Sequence, residues 1–210
     1  MNFYSSLADN LKPQILDTSV LINLNASTVG DRILRDIPNE FLVSRIVAQE
    51  LEHETSRQNG DCVFLENLIA DKTVMLTSMT DEEFSLFAKL TSGPSSLDDG
   101  EASTIAISTT RNISCVIDEK RGRSQATGLM NGQAPSWSLE LFRHEAVVGS
   151  LSSASAANAL YLALRDGRMR ISKDHCDYVV DLIGVQRALD CTSLPGYKVR
   201  RAEWLESNGA

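Results

Sequence analysis

Apolar positions along the chain alternate between short continuous runs and longer segments with helical spacing. The runs at residues 14–16, 41–43, 73–76 and 114–117 are brief and end at polar residues, as is typical of strands that are buried on both faces. The segments between them repeat apolar residues at intervals of three and four. This alternation predicts an α/β fold with a mainly parallel central sheet.

Capping patterns locate the starts of several helices. Ser44 is expected to cap a helix over residues 45–58, and Thr80 followed by Glu83 forms a capping-box pattern that opens a helix to about residue 90. Two more helices are predicted over 99–110 and 120–130. Apolar stripes at 138–148, 154–164 and 175–189 predict further helices, whereas the segment from residue 191 onward is weakly patterned. We therefore expect one domain over residues 1–150 and a helical C-terminal extension over 151–210 that packs on it.

Composition and charge limit the function classes. The 210 residues carry a formal net charge of −8, which disfavours a general nucleic-acid binder but is compatible with a carboxylate cluster that divalent cations neutralise. The four cysteines form no CxxC pair, which favours free thiols in a reducing compartment. No apolar run is long enough to span a bilayer, and the first ten residues lack the features of a secretory signal. We expect a cytoplasmic protein without membrane contact.

Four acidic residues are the strongest candidates for chemistry. Asp17 and Asp118 each follow a predicted strand, Glu50 lies in the helix after the second strand, and Glu101 opens a later helix. Carboxyl ends of parallel strands meet at one edge of a sheet, so these acids should converge there. Clustered carboxylates suit Mg²⁺ or Mn²⁺, which lower the pKa of a bound water and stabilise phosphoryl charge. Hydrolysis of a phosphodiester is the reaction that this pattern favours.

Each acid taken alone also has a purely structural explanation. Asp17 could cap the following helix, and Glu50 shares its segment with other glutamates that indicate a solvated face. Asp98, Asp99 and Glu101 could stabilise the start of their helix through its dipole, which is worth about 0.3–1 kcal/mol. The order and context of all four acids together favour the metal site.

Four blocks around these acids resemble PIN domains, and together they cover about residues 14–150. The opening block is ILDTSVLINL at residues 15–24, and the second is VAQEL at 47–51. The third, LDDGEASTIA at 97–106, is similar to the GEAxAIAxA helix of one prokaryotic branch of that family. The fourth, VIDEKRGR at 116–123, is similar to the strand-end acid of that branch with its pair of arginines.

The resemblance implies a three-layer α/β/α sandwich that acts as a Mg²⁺- or Mn²⁺-dependent endoribonuclease. Transferred by position, it makes Asp17, Glu50, Glu101 and Asp118 the catalytic and metal-binding acids. Many relatives are toxins held by a small antitoxin, so an antitoxin or other regulatory protein is an implied partner. The supporting residues are Thr18 or Ser19, which would orient Asp17 or a metal-bound water, Asp98 and Asp99, which compete with Glu101 for the third position, and Glu119.

Basic residues next to the last acid are candidates for substrate binding. Lys120, Arg121 and Arg123 follow Asp118 and either contact the phosphate backbone or are surface charges. The resemblance favours RNA over DNA as the nucleic acid. Two further basic groups, at residues 165–173 and 198–201, are open to contact with nucleic acid, with an acidic partner or with solvent alone.

Other functions and partners follow from single features. A phosphatase of the haloacid-dehalogenase type needs a second aspartate two residues after the first, where this chain has Ser19, so that class is disfavoured. A non-catalytic PIN-like module that binds RNA or protein stays an alternative. The stripes of the extension, including Leu160 and Leu164, predict burial against the domain, against a second copy in a homodimer, or against a regulatory protein.

Overall fold

The structure is a computed structural model, and it describes residue 3 and residues 5–208. Its central sheet is entirely parallel and has the order β3-β2-β1-β4, so the predicted parallel α/β/α fold is confirmed. The chain runs outward from β1 to β3 and then returns to the other side of β1, where β4 pairs with it. A crevice at such a reversal, beyond the carboxyl ends of the strands, is the usual ligand site of open α/β sheets. The strands are β1 (Gln14–Leu16), β2 (Phe41–Ser44), β3 (Val74–Thr77) and β4 (Ser114–Val116).

Helices follow every strand and make up the remaining regular structure, with short 3₁₀ turns at Ser6–Asp9 and Lys173–His175. Their bounds are α1 (Thr18–Ala26), α2 (Gly30–Asp36), α3 (Arg45–Glu50), α4 (Glu54–Gln58), α5 (Asp61–Ala70), α6 (Asp81–Leu90), α7 (Asp99–Arg111), α8 (Lys120–Leu129), α9 (Ser138–Phe142), α10 (Glu145–Ser150), α11 (Ser153–Arg165), α12 (Cys176–Ile183), α13 (Val185–Ala188) and α14 (Tyr197–Asn208).

Both faces of the sheet are buried, because successive strand residues point to opposite sides. Leu16 and Val116 pack into one core with residues of α1, α5, α9, α11 and α12. Ile15 and Cys115 pack into a second core on the other face, with residues of α6, α7 and α8. The strand residues that point into the two cores are apolar for this reason, although each strand begins or ends with a polar residue. Helices on two faces give the three layers.

The capping predictions are confirmed, but one helix is shorter than predicted. The Ser44 hydroxyl accepts from the backbone N–H of Val47, and Thr80 and Glu83 make both bonds of a capping box. The helix predicted over 45–58 ends at Glu50, and a separate helix, α4, begins four residues later. The apolar face ends at the buried Leu51, and α4 has no buried residue to continue it.

The C-terminal helices differ from the prediction in three places. The helix predicted over 138–148 is divided into α9 and α10, because His144, with a ψ of 137°, leaves the helical conformation and caps α10. The helix predicted over 175–189 is divided at Gly184, whose φ of 87° a helix cannot contain. The weakly patterned tail forms α14 after all. Leu160, Leu164 and Val179 are buried in the core that also contains residues of α1 and β1, so the stripes of the extension are covered by the chain itself. The division of the chain at residue 150 stays a prediction.

Two smaller predictions can be compared with the structure. The four cysteines are free thiols, as predicted. Within residues 5–208, no helix combines the length and the apolar character that crossing a membrane would require.

Candidate metal and phosphodiesterase site

Asp17 lies at the carboxyl end of β1 and caps α1. Its carboxylate accepts hydrogen bonds from the backbone N–H of Ser19 at 3.3 Å and from the Ser19 hydroxyl at 2.6 Å. Both bonds use Oδ2, so the cap occupies a single carboxylate oxygen. The residue is only 3% exposed. Capping explains why an aspartate stands here, but a solvated cap would serve as well, and the deep burial indicates a further role.

Asp118 lies two residues beyond β4, beside Asp17 at the same edge of the sheet. The backbone N–H of Asp17 donates to the carbonyl of Val116 at 3.3 Å, which joins the two strand ends. Asp118 Oδ1 accepts from the backbone N–H of Ser138 at 2.7 Å. Its Oδ2 accepts from the Ser138 hydroxyl at 2.7 Å and from the Asn23 amide at 2.6 Å. These three bonds fix the orientation of a buried carboxylate.

Glu101 and Glu50 approach the same edge from α7 and α3. Glu101 is 3% exposed, and its Oε1 is buried without a hydrogen-bond partner among the described residues. Glu50 is half-buried at the end of α3; its Oε1 accepts from the backbone N–H of Gly100 at 2.8 Å and its Oε2 from the Thr18 hydroxyl. Glu50 therefore ties α3 to the starts of both α1 and α7.

The pKa values of Asp17 and Glu101 indicate that these two acids are close to each other and to Asp98. Burial raises the pKa of Asp17 to about 7, against the opposing hydrogen bond from Ser19, and the charge of Asp98 adds to the rise. Burial likewise raises the pKa of Glu101 to about 8, with further rises from the charges of Asp98 and Asp17. Carboxylates that repel each other in this way are close in space although they come from distant segments.

The other two acids also have raised pKa values. Burial is again the largest cause for Glu50, and the hydrogen bonds from Thr18 and Gly100 oppose it. For Asp118, burial raises the pKa against the bonds from Ser138. All four acids therefore lie where the ionised carboxylate is disfavoured.

Two glycines leave room for these carboxylates. A Cβ atom on Gly100 would lie 2.4 Å from Glu50 Oε2 and 2.7 Å from the Thr18 hydroxyl oxygen. A Cβ atom on Gly122, in α8, would lie 2.6 Å from Glu101 Oε1. Each position accepts glycine alone without displacing an acid, so the packing of α7 and α8 is fitted to the carboxylates.

The acids fit a hard divalent cation by their chemistry. The carboxylates supply the oxygen ligands that Mg²⁺ and Mn²⁺ prefer. A bound cation would favour the ionised form of acids whose pKa values are raised, and it would give Oε1 of Glu101 a partner. The side chains do not enclose a point, however: among the residues that the structure describes, no group of three histidine, cysteine or acidic side chains is arranged to hold a metal ion. The carboxylates are gathered at the sheet edge without being closed around a centre.

The supporting residues have distinct contacts. Ser19 bonds to Asp17, whereas Thr18 bonds to Glu50 instead. Asp98 is exposed and caps α7 by accepting from the backbone N–H of Glu101 at 2.8 Å. The remaining two predicted supporting residues lie at the margin: Asp99 is exposed in the first turn of α7, and Glu119 forms an ion pair with Arg170 at 2.8 Å.

The basic residues of α8 do not form a single patch. Lys120 and Arg121 are exposed, and the charge of Arg121 acts to lower the pKa of Glu101. Arg123 is half-buried with its guanidinium 5.1 Å from the centre of the Trp137 ring. The charge of Arg123 acts to lower the pKa of Asp118, so Arg121 and Arg123 each act on a different acid, and Arg123 has a packing role as well.

Sequence reasoning missed two residues that hold Asp118. Asn23 is 2% exposed and interrupts an otherwise apolar segment of α1, so a polar residue in a buried run was a usable signal. Ser138 is fully buried and begins α9, and no pattern around it indicated a role. Both belong to the site because they supply every hydrogen bond that the structure shows for Asp118.

Comparison with known proteins places this geometry in a family. Neither curated proteins nor solved structures gave a significant match. A family model described as a PIN domain matches residues 13–184, which is most of the chain and includes all four acids. The chain belongs to the PIN-domain family.

Proposed function

We propose that this protein is a metal-dependent endoribonuclease that hydrolyses phosphodiester bonds in the cytoplasm. PIN domains are generally nucleases and typically use divalent metals. Asp17, Glu50, Glu101 and Asp118 would hold Mg²⁺ or Mn²⁺ at the carboxyl edge of the sheet. RNA is the favoured substrate, with DNA as the alternative that the assay below separates.

One observation carries the proposal: four acids from four separate segments meet at the point where the strand order reverses, three of them almost fully buried. Burying ionised carboxylates together is unfavourable unless a cation or a proton compensates them. The buried Oε1 of Glu101 has no hydrogen-bond partner among the described residues, so it is available to a cation.

Each of these residues would have a separate role in hydrolysis. A bound divalent cation would supply an activated water and stabilise charge on the phosphate. Ser19 holds Oδ2 of Asp17, so Oδ1 would be the oxygen offered to a metal. Asn23 and Ser138 fix Asp118, and Thr18 with Gly100 fixes Glu50, so that three carboxylates are oriented before substrate binds.

The test is cleavage of labelled single-stranded and structured RNA and DNA with Mg²⁺ or Mn²⁺, with and without EDTA. Wild type should cleave only with metal, and Asp17→Asn should lose about 100-fold in rate, the upper end of the roughly 10- to 100-fold loss that follows mutation of residues supporting a metal site. Asp61→Asn is the matched control, since Asp61 is also a buried aspartate at a helix start but lies outside the site. Undiminished activity of folded Asp17→Asn would refute the assignment.

A non-catalytic module that binds RNA or protein is the second candidate. Both oxygens of Glu50 already accept hydrogen bonds, and the described acids do not enclose a metal. Such a module would bind RNA equally well in EDTA and would cleave nothing with either metal. Binding without any cleavage in the assay above would therefore favour this function over the nuclease.

We extend the proposal to a toxin whose activity an antitoxin or other regulatory protein restrains. A ribonuclease acting on cellular RNA needs such restraint, and the inhibitor would have to cover the acid edge of the sheet. Induced expression of the wild-type chain alone should arrest bacterial growth, whereas expression of Asp17→Asn to the same level should not. Normal growth with active wild-type protein would contradict the toxin role but not the nuclease.

A further inference from the structure

A pocket of about 490 Å³ opens beside the acid site, and the C-terminal part of the chain forms one of its walls. Asp118 and Glu119 line the side that belongs to the sheet edge. Arg168 and Arg170, just beyond α11, line the other side. The pocket wall combines two acids at the candidate site with two arginines, which distinguishes it from an ordinary solvated loop. The pocket is continuous with the candidate site.

The segment that carries these arginines is anchored to the acid site. A Cβ atom on Gly167 would lie 2.6 Å from Asn23 Oδ1, so the backbone of this segment packs directly on the residue that holds Asp118. Met169 is 1% exposed, and its backbone N–H donates to the carbonyl of Ala163 at 3.0 Å. The buried methionine therefore fixes the backbone between two exposed arginines.

The two arginines differ in their partners. Arg170 pairs with Glu119 at 2.8 Å, and its side chain is still 64% exposed. Arg168 is exposed with a φ of 57°, and it makes no ion pair with any residue in the described part of the chain. A left-handed backbone at a residue other than glycine is uncommon, and here it directs a free guanidinium to the rim of the pocket.

We propose that Arg168 and Arg170 bind a backbone phosphate of the nucleic-acid strand next to the acid site. This inference rests on the proposed function. Guanidinium groups donate paired hydrogen bonds to phosphate oxygens, which suits them better than lysine for this contact. Phosphate would compete with Glu119 for Arg170, while Arg168 is available without any exchange of partners. The subsite would hold the strand beside the cleaved bond without reading its sequence.

The test measures binding of a fluorescein-labelled single-stranded RNA of mixed sequence by anisotropy in EDTA, where metal-dependent cleavage cannot consume it. Arg168→Gln with Arg170→Gln should weaken binding roughly tenfold for each arginine, as loss of a charge-assisted bond predicts. The slope of log affinity against log salt should fall by about 1.4 in the double variant, since each single-strand phosphate contact contributes about 0.7. Lys198→Gln with Arg201→Gln removes the same charge from exposed positions of α14 and is the matched control.

Glu119→Gln separates phosphate binding from a structural role of the ion pair. It breaks the same pair with Arg170 but leaves the guanidinium in place, so RNA affinity should be kept or increased. If Glu119→Gln weakens binding as much as Arg170→Gln does, the pair is structural and the proposal is overturned. Equal loss in the control pair, or unchanged affinity and salt slope in the double arginine variant, also overturns it. Because binding is measured without metal, a wild type that binds RNA but never cleaves would refute the nuclease and leave the subsite standing.

Discussion

Replacing Asp17 with asparagine should stabilise the metal-free protein, and the gain should grow as the pH rises. Asparagine keeps an oxygen that can accept from Ser19, and it has almost the same volume, so the cap and the packing around it are preserved. What it removes is a carboxylate whose ionised form is disfavoured by burial and becomes dominant only above about pH 7. The expected loss of activity is thus accompanied by a gain in stability.

The pKa of Asp17 sets the size and the direction of this effect. Its rise from 3.8 to about 7 corresponds to about 4 kcal/mol against the ionised form in the folded state. Since the folded pKa lies above the unfolded one, the contribution of this group to stability is fully present below about pH 3.8 and is lost as the pH rises to about 7. The advantage of the asparagine variant should therefore increase by about 2 to 3 kcal/mol between about pH 5 and pH 8, from the same linkage.

Urea unfolding of wild type and Asp17→Asn in EDTA, at several pH values across this range, measures the difference directly. Saturating Mn²⁺ should then stabilise wild type by about 3 kcal/mol at a hundredfold excess over its dissociation constant, and it should have little effect on the variant. A variant that is less stable than wild type at the upper end of the range would refute the reasoning. So would an advantage that is constant with pH, because burial of the charge could then not be its cause.

Four further changes test other parts of the structure. Gly100→Ala should displace the Glu50 carboxylate, reduce cleavage in the RNA assay and lower the melting temperature, because the added Cβ would lie 2.4 Å from Glu50 Oε2 and 2.7 Å from the Thr18 hydroxyl oxygen. Arg111→Ala should lower the free energy of unfolding in urea by roughly 3 kcal/mol, since it leaves Glu83 buried without its ion pair. Arg121→Ala should weaken RNA binding for all sequences alike and reduce the salt slope by about 0.7. Ending the chain at residue 150 should make the protein insoluble, because it uncovers the core that α11 and α12 share with α1. The measurement is the amount of protein left in the soluble fraction and its elution on size-exclusion chromatography.

The sheet was predictable because its signals are local. Each strand is a short apolar run closed by a polar residue, and the order of strands and helices restricts the topology to a parallel arrangement. The helix breaks were not predictable in the same way. Leu51 ends one helix because the next residues have no core to contact, and that fact belongs to the tertiary structure. Gly184 was a local signal for the break between α12 and α13, and the apolar spacing around it concealed it.

The acids of the site were predictable, and the residues that hold them were mostly not. Asp17 and Asp118 follow strands, so their position at the sheet edge can be inferred from the pattern alone. Asn23 donates to Asp118 from 95 positions away, and Ser138 from 20 positions away, so no local pattern connects these pairs. The role of Gly167 was harder still to predict from the sequence, because it lies in the space that this glycine leaves for Asn23.

Asn23 contacts both Asp118 and the C-terminal part of the chain. That part therefore does more than bury the apolar core. The amide nitrogen of Asn23 donates to Asp118, while its carbonyl oxygen is buried without a partner among the described residues and faces the backbone of Gly167. The segment after α11 therefore packs against the residue that holds Asp118 and places Arg168 at the same pocket. A displacement of that segment, by a regulatory protein or by a substrate strand, would reach Asp118 through a single side chain. Residues beyond 150 thus line the same pocket as Asp118, although sequence periodicity alone sets them apart.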